Sequence, residues 1–238
     1  MAAILLALIG LPAGLVLDAL IVRLGVHTGD DDGAVEEASP TAAALLSAER
    51  GAVVLDESPG LALLRRGAVV GATSGLFALA ALRYDAPGHV AIIAAYISVL
   101  IVCAGTDLRA YRVPNVITYP AVLFALAVGA TVDGAGIGAV LAGGALGAGV
   151  LLVPSLLSGG AGMGMGDVKL LAFAGFALGF VNLVPAMLFM ALGGGGIALL
   201  LLATGLRKRG EPIPYAPFIS IGAVIALLWQ GSAFIDLA

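Results

Sequence analysis

Charge is scarce in this chain. Only 11% of its residues are Asp, Glu, Lys or Arg, against about a quarter in soluble domains. That scarcity excludes an ordinary water-soluble domain. The 61% hydrophobic share and the mean hydropathy of +1.13 exclude it again. Cysteine is nearly absent: Cys103 stands alone inside an apolar run, so neither a disulfide framework nor a cysteine zinc site can be built. There is no basic excess either. The net charge is −4, with the acidic surplus gathered between Asp30 and Glu57; this reads as a solvated loop, and nothing points to nucleic-acid binding. His27 and His89, the two histidines, read as interfacial loop residues, and no metal site is expected. Glycine is abundant instead. Its 35 copies, with much alanine, suit helices that pack closely in lipid. The fold class implied is all-α, a polytopic membrane protein.

A membrane-spanning helix takes about 20 mostly apolar residues. The first candidate covers 2–24; with no basic region ahead of it and Arg23 after it, it reads as a retained span, not a cleaved signal peptide. Residues 25–66 read as a hydrophilic loop with acidic patches at Asp30–Asp32 and Glu36–Glu37. Residues 67–238 then form a membrane domain, with spans expected near 67–83, 89–106, 115–132, 136–157, 169–181, 185–205 and 216–236. Asn182 and Pro185 supply the expected break in the stretch 169–205, too long for one helix. The total is about eight spans by the length rule.

Orientation follows from the basic residues, which concentrate on the cytoplasmic side. With the N-terminus outside, Arg23, Arg50, Arg65, Arg66, Arg109, Arg112, Lys169, Arg207, Lys208 and Arg209 all fall inside, and only Arg83 outside. The same assignment brings Asp107 and Asp167 to the cytoplasmic face, although 60 residues separate them.

Asp107 ends an apolar run, where the helix dipole disfavours an anion. It can pair with Arg109 or Arg112, or belong to a site; Pro114 then stops the helix and Asn115 can cap the next one. Asp167 follows the glycine-rich Gly162-Met163-Gly164-Met165-Gly166. It reads as an N-cap, yet three glycines at alternate positions exceed what a cap needs and admit a close approach by another chain. Lys169 reads as a snorkelling lysine. Met163 and Met165 pack the loop, Gly193–Gly196 reads as a close-packing face, and Asp18 either pairs with a neighbouring helix or faces the interface. Two adjoining carboxylates cannot both ionise cheaply, so one keeps its proton. The ionised acid can take a proton from water while the other donates to a scissile carbonyl oxygen.

Three stretches resemble the type IV prepilin peptidase family, membrane aspartyl proteases of the Gly-x-Gly-Asp type. They are Asp107-Leu108-Arg109 with Val113-Pro114-Asn115, Gly164-Met165-Gly166-Asp167-Val168-Lys169-Leu170, and Ile213-Pro214-Tyr215-Ala216-Pro217-Phe218. The resemblance covers about 67–238. It implies Asp107 and Asp167 as the catalytic pair, with Gly164, Gly166 and Lys169 binding substrate or shaping the loop. It also implies cleavage, in the inner (cytoplasmic) membrane, of a prepilin or pseudopilin precursor after a glycine that joins a short basic leader to an apolar helix. Many members carry two Cys-x-x-Cys pairs in the first loop, and 25–66 has no cysteine. Asp18 stands for an asparagine, Val70 for a glutamate of bifunctional relatives, and Ala216 for a glycine. Peptidase activity is therefore expected without a cofactor, S-adenosylmethionine being needed only if a methyltransferase activity is retained. The competing reading is a small transporter or channel using the same aspartates as ion or proton sites.

Overall fold

The computed structural model describes residues 2–27, 58–131, 136–157, 164–204, 213–233 and 235–236. Among these there are seven helices: α1 (Ala2–His27), α2 (Pro59–Arg83), α3 (Pro87–Ala110), α4 (Asn115–Thr131), α5 (Gly136–Leu157), α6 (Met165–Ala203) and α7 (Ala216–Trp229). Five are long and apolar enough to cross a membrane, while α4 and α7 are shorter apolar helices. The chain is an all-α, multi-pass membrane protein. The acidic patches, Gly162, Met163, Arg50 and Arg207–Arg209 lie outside the described residues.

Local chemistry sets the helix ends. Pro59 opens α2, where the missing N–H costs nothing, and the Ser58 hydroxyl accepts from Leu61 N–H. The helix thus begins ahead of the expected start at 67. Pro87 likewise opens α3, there without a side-chain cap. At the other end of α3, Tyr111 takes a left-handed φ of 52° and donates its N–H to the Asp107 carbonyl at 2.8 Å. The final helix stops at Trp229, short of the expected 236. A two-residue antiparallel ribbon follows, β1 (Gly231–Ser232) with β2 (Ile235–Asp236).

The break expected at Asn182–Pro185 lies at Gly179 instead, with φ 72° and ψ 173°. That conformation is essentially open to glycine only. Pro185 is carried inside the helix beyond it, as membrane helices tolerate when neighbours cover the freed carbonyl. The two arms of α6 run in opposite senses. A Cβ at Gly147 would touch the Leu171 carbonyl and one at Gly143 would reach Gly179, so the first arm is antiparallel to α5. Gly222 lies against Ala186 and Met190, and Gly194 against Tyr215, so the second arm is antiparallel to α7.

These contacts give each helix end a side. On one face lie the N-termini of α4, α6 and α7 and the C-terminal ends of α1 and α3: Gly25 lies beside Arg109, and Ala216 is bonded to Asp107. Gly129, Val140, Gly179 and Ala233 mark the opposite face. Arg83 belongs there too, donating to the Leu228 and Trp229 carbonyls at the end of α7.

The core is mostly aliphatic, with Tyr96 and Phe173 among its largest fully buried side chains. Tyr96 of α3 meets Phe124 of α4 and Phe173 of α6 edge-on, with centroids 5.8 and 5.6 Å apart, each pair worth about 0.5–1.5 kcal/mol beyond burial. The α1–α2 hairpin is held differently. Gly10 and Gly14 bring the α1 backbone onto Ser74 and Val70, and Asp18, 1% exposed, pairs with Arg65 and Arg66. Asp18 therefore pairs with the neighbouring helix.

Candidate active site

Asp107 occupies the last turn of α3 and is buried. At the C-terminus of its own helix it meets the negative end of the dipole. Its carboxylate reaches across to another helix instead: Oδ2 accepts the Ala216 N–H at 3.0 Å, at the N-terminus of α7, and the Tyr215 N–H also acts on it. The first turn of any helix leaves N–H groups without partners. Tyr215 gives α7 no side-chain cap, and Pro217 removes one donor. Asp107 serves as the missing cap and sits at the favourable end of that dipole. The Ile213–Phe218 stretch thus gains a physical role, holding a carboxylate 109 residues away.

Asp167 is not the N-cap. The first residue of α6 is Met165, and the Gly164 carbonyl accepts from Asp167 N–H at 3.1 Å. Asp167 therefore lies in the first helical turn, where the dipole favours a carboxylate. Its Oδ1 is buried and has no hydrogen-bond partner among the described residues. The Asp107 carboxyl lies within electrostatic range of it. Burial, with the Asp167 charge second, holds the Tyr215 phenol above its ordinary range.

The two visible glycines of the loop differ. A Cβ on Gly166 would stand 2.9 Å from Val113 Cβ, so this position is closed by the α3–α4 connection. Gly164 is exposed, and its nearest neighbour is Asp167 Oδ2, 3.6 Å from a Cβ placed there. Lys169 is no free snorkelling lysine. Its Nζ donates to Asn115 Oδ1 at 2.8 Å and stands 4.8 Å from the centroid of the Tyr119 ring. Asn115 opens α4 and turns its side chain to Lys169, while the N–H groups of Ile117 and Thr118 donate to the Pro114 carbonyl. Val113 packs against Gly166, Asn115 and Tyr119 hold Lys169, and Tyr215, backed by Gly194, acts on Asp107 through its N–H; the sequence named none of them as a site residue, reading Asn115 as a cap and Gly194 as part of a close-packing face. The i, i+4 spacing of Asn115 and Tyr119 does put them on one helix face, a signal that could have marked them.

Among the described residues no group of three His, Cys, Asp or Glu side chains is arranged to hold a metal. The geometry offers two acids from different helices at one membrane face, one held by a backbone N–H and one with an unused oxygen.

Comparison with known proteins gives this arrangement a family. The sequence pattern of the Type IV leader peptidase family matches residues 94–229, which contain both acids, the glycine loop and the start of α7. A prepilin leader peptidase/N-methyltransferase of Bacillus subtilis is 33% identical over 162 residues, 67% of this chain and 64% of that protein. The protein of that name from Burkholderia pseudomallei is 32% identical over 167 residues, 68% of this chain and 53% of that protein. The one from Aeromonas hydrophila is 44% identical over 79 residues, 32% of this chain and 27% of that protein. The chain thus spans less than two thirds of the length of these curated relatives. No solved structure matched. With more than half its length inside the family pattern, this chain belongs to the type IV leader peptidase family.

Proposed function

We propose that the chain is an aspartic endopeptidase that removes the short basic leader from prepilin-like or pseudopilin precursors, using Asp107 and Asp167. The observation that carries this reading is that two carboxyls, one buried and one half-buried, lie on one face within electrostatic range of each other, at the ends of helices far apart in sequence. Close carboxyls share a proton. The ionised acid takes a proton from water, whose oxygen attacks the scissile carbonyl carbon; the protonated acid gives its proton to the carbonyl oxygen. Collapse of the tetrahedral intermediate breaks the C–N bond, and the leaving nitrogen receives a proton from the acid pair. The sequence needs no metal or covalent intermediate.

In this reading Lys169 and Gly166 shape the loop: both are committed to α4 and Val113. Gly164, open and next to Asp167, is the position that a substrate backbone can approach. The work is done at the cytoplasmic face of the inner membrane. In support, Arg65, Arg66, Arg109, Arg112 and Lys169 lie on the side of the two acids and Arg83 on the other. Ion and proton sites of transporters sit near mid-membrane on broken helices, whereas both acids lie at helix ends, which favours the peptidase. Its relatives' names include N-methyltransferase; with no cysteine in 25–66 and Val70 in place of a glutamate, we assign this chain peptide hydrolysis alone.

The test uses membranes containing the full chain and a precursor with a basic leader, a glycine and an apolar helix. Cleavage after the glycine, with no methyl group on the new N-terminus by mass spectrometry, is expected. An intact precursor, with ion flux in its place, contradicts the peptidase reading; a methylated product contradicts the restriction to hydrolysis.

A further inference from the structure

The glycine run Gly193–Gly196 and the ring of Tyr215 find no use in the two-acid scheme, yet they meet beside it. The second arm of α6 returns from Gly179 to the face that carries the acids, and Gly194 is the point where it touches the start of α7. A Cβ there would lie 2.7 Å from Tyr215 Cε2, 3.1 Å from Cζ and 3.2 Å from the hydroxyl oxygen. Only hydrogen at that position leaves space for the hydroxyl end of the ring. Phe218 supports the ring from its own helix, at a centroid separation of 6.0 Å and a 58° tilt. The backbone is fixed as well, since Tyr215 immediately precedes the Ala216 N–H that Asp107 holds. The side chain is therefore braced on two sides and its main chain is tied to one acid.

The ring lies near the acids. Asp167 is within electrostatic range of the phenol, and Asp167 Oδ1 is buried with its hydrogen-bonding capacity unused. A neutral phenol both donates and accepts. A phenol is neutral near pH 7 in any case, and burial pushes its pKa further up, so the site holds a donor that carries no charge of its own.

Building on the peptidase reading, we propose that the Tyr215 hydroxyl, held by Gly194, is a third functional group of the site: it donates a hydrogen bond to the substrate oxygen on which negative charge develops as the scissile peptide is attacked. A donor of this kind acts more strongly on the transition state than on the bound substrate. Its loss therefore appears in kcat and not in KM.

The experiment measures kcat and KM for cleavage of the basic-leader precursor by the full chain in membranes. Its variants are Tyr215→Phe, Gly194→Ala and the two combined. Asp107→Asn and Asp167→Asn serve as controls. Tyr215→Phe removes one oxygen and leaves the packed ring, and a loss of about 10- to 100-fold in kcat with KM within about twofold is expected. Gly194→Ala displaces the ring and gives a loss of similar size. The double variant falls little below either single one, because both remove the same bond. Wild-type kcat in Tyr215→Phe, with the aspartate controls inactive, overturns the role of the hydroxyl and leaves the peptidase reading intact. Equal kcat losses from Gly194→Ala with and without the hydroxyl overturn it too, since they mark a packing role. Aspartate controls that cut at the wild-type rate overturn the peptidase reading itself.

Discussion

At the scale of single residues, the site is assembled by borrowing. Asp107 borrows the N-terminus of α7, and Lys169 borrows Asn115 and Tyr119 from α4. Lys169 is two residues from Asp167 on the same helical turn, so its two contacts fix where that carboxyl stands. Replacing Lys169 with Met removes a charge-assisted hydrogen bond worth about 1.5–3 kcal/mol and a cation–π contact of about 0.5–1 kcal/mol. A fall in the cleavage rate of at least about tenfold is expected, with Lys169→Arg recovering part of it. A rate unchanged in Lys169→Met would return this lysine to a snorkelling role. Gly166→Val is expected to abolish cleavage, because its Cβ would drive into Val113 2.9 Å away, whereas Gly164→Ala retains measurable activity. The rates of these variants, normalised to folded protein, decide both. The acids themselves were legible in the sequence, as charges at the ends of apolar runs. Their partners were not: a backbone N–H such as that of Ala216 has no side-chain signature, and Asn115 becomes a lysine partner only after α4 and α6 pack.

Among the elements, α6 carries the most information and was the hardest to read. A stretch of 39 helical residues is too long for one straight span. The Asn and Pro near 182–185 were the visible breakers, yet the chain turns at Gly179, where the φ of 72° favours glycine. Pro185 is an ambiguous signal because lipid-facing helices keep their prolines, and Gly179 is one glycine among 35. The turn has a consequence for stability. Gly179→Ala forces a side chain into this conformation and is expected to cost about 1–3 kcal/mol. Gly149→Ala provides the control: Gly149 lies inside α5, with nothing within 4 Å of the added carbon, and the change is expected to be neutral or slightly stabilising. Unfolding in a denaturing detergent series measures both, and equal stability of the two variants would contradict the account of the turn. The last helix shows a matching design at both ends. Asp107 caps its N-terminus, while Arg83 and Tyr84 take up the carbonyls of Leu227, Leu228 and Trp229.

For the molecule as a whole, the distribution of basic residues organised the reading, and contacts between helices support its geometry independently. The ends carrying Asp107, Asp167, Arg109 and Lys169 share one face, and Arg83 lies on the other. If that face is cytoplasmic, the exposed thiol of Thr131→Cys reacts from outside intact cells with a membrane-impermeant thiol reagent, and that of Ser58→Cys, exposed on the face of the acids, reacts only after lysis. Background labelling is low because Cys103, the native thiol, is buried. The reverse pattern would invert the topology. Hydropathy and charge were enough to read the class of fold, since lipid demands satisfied backbone and long apolar helices. The exact helix limits depended on capping and on tertiary contact, and so departed at 59, 179 and 229. The central claim is that two acids act as one unit. Its most direct measurement is the rate of precursor cleavage by Asp107→Asn, Asp167→Asn and the double variant, each checked for folding. Each single variant is expected to lose at least about 100-fold, and the double variant little more than the worse single one. A single variant that cuts at the wild-type rate, or losses that multiply in the double variant, would contradict the account.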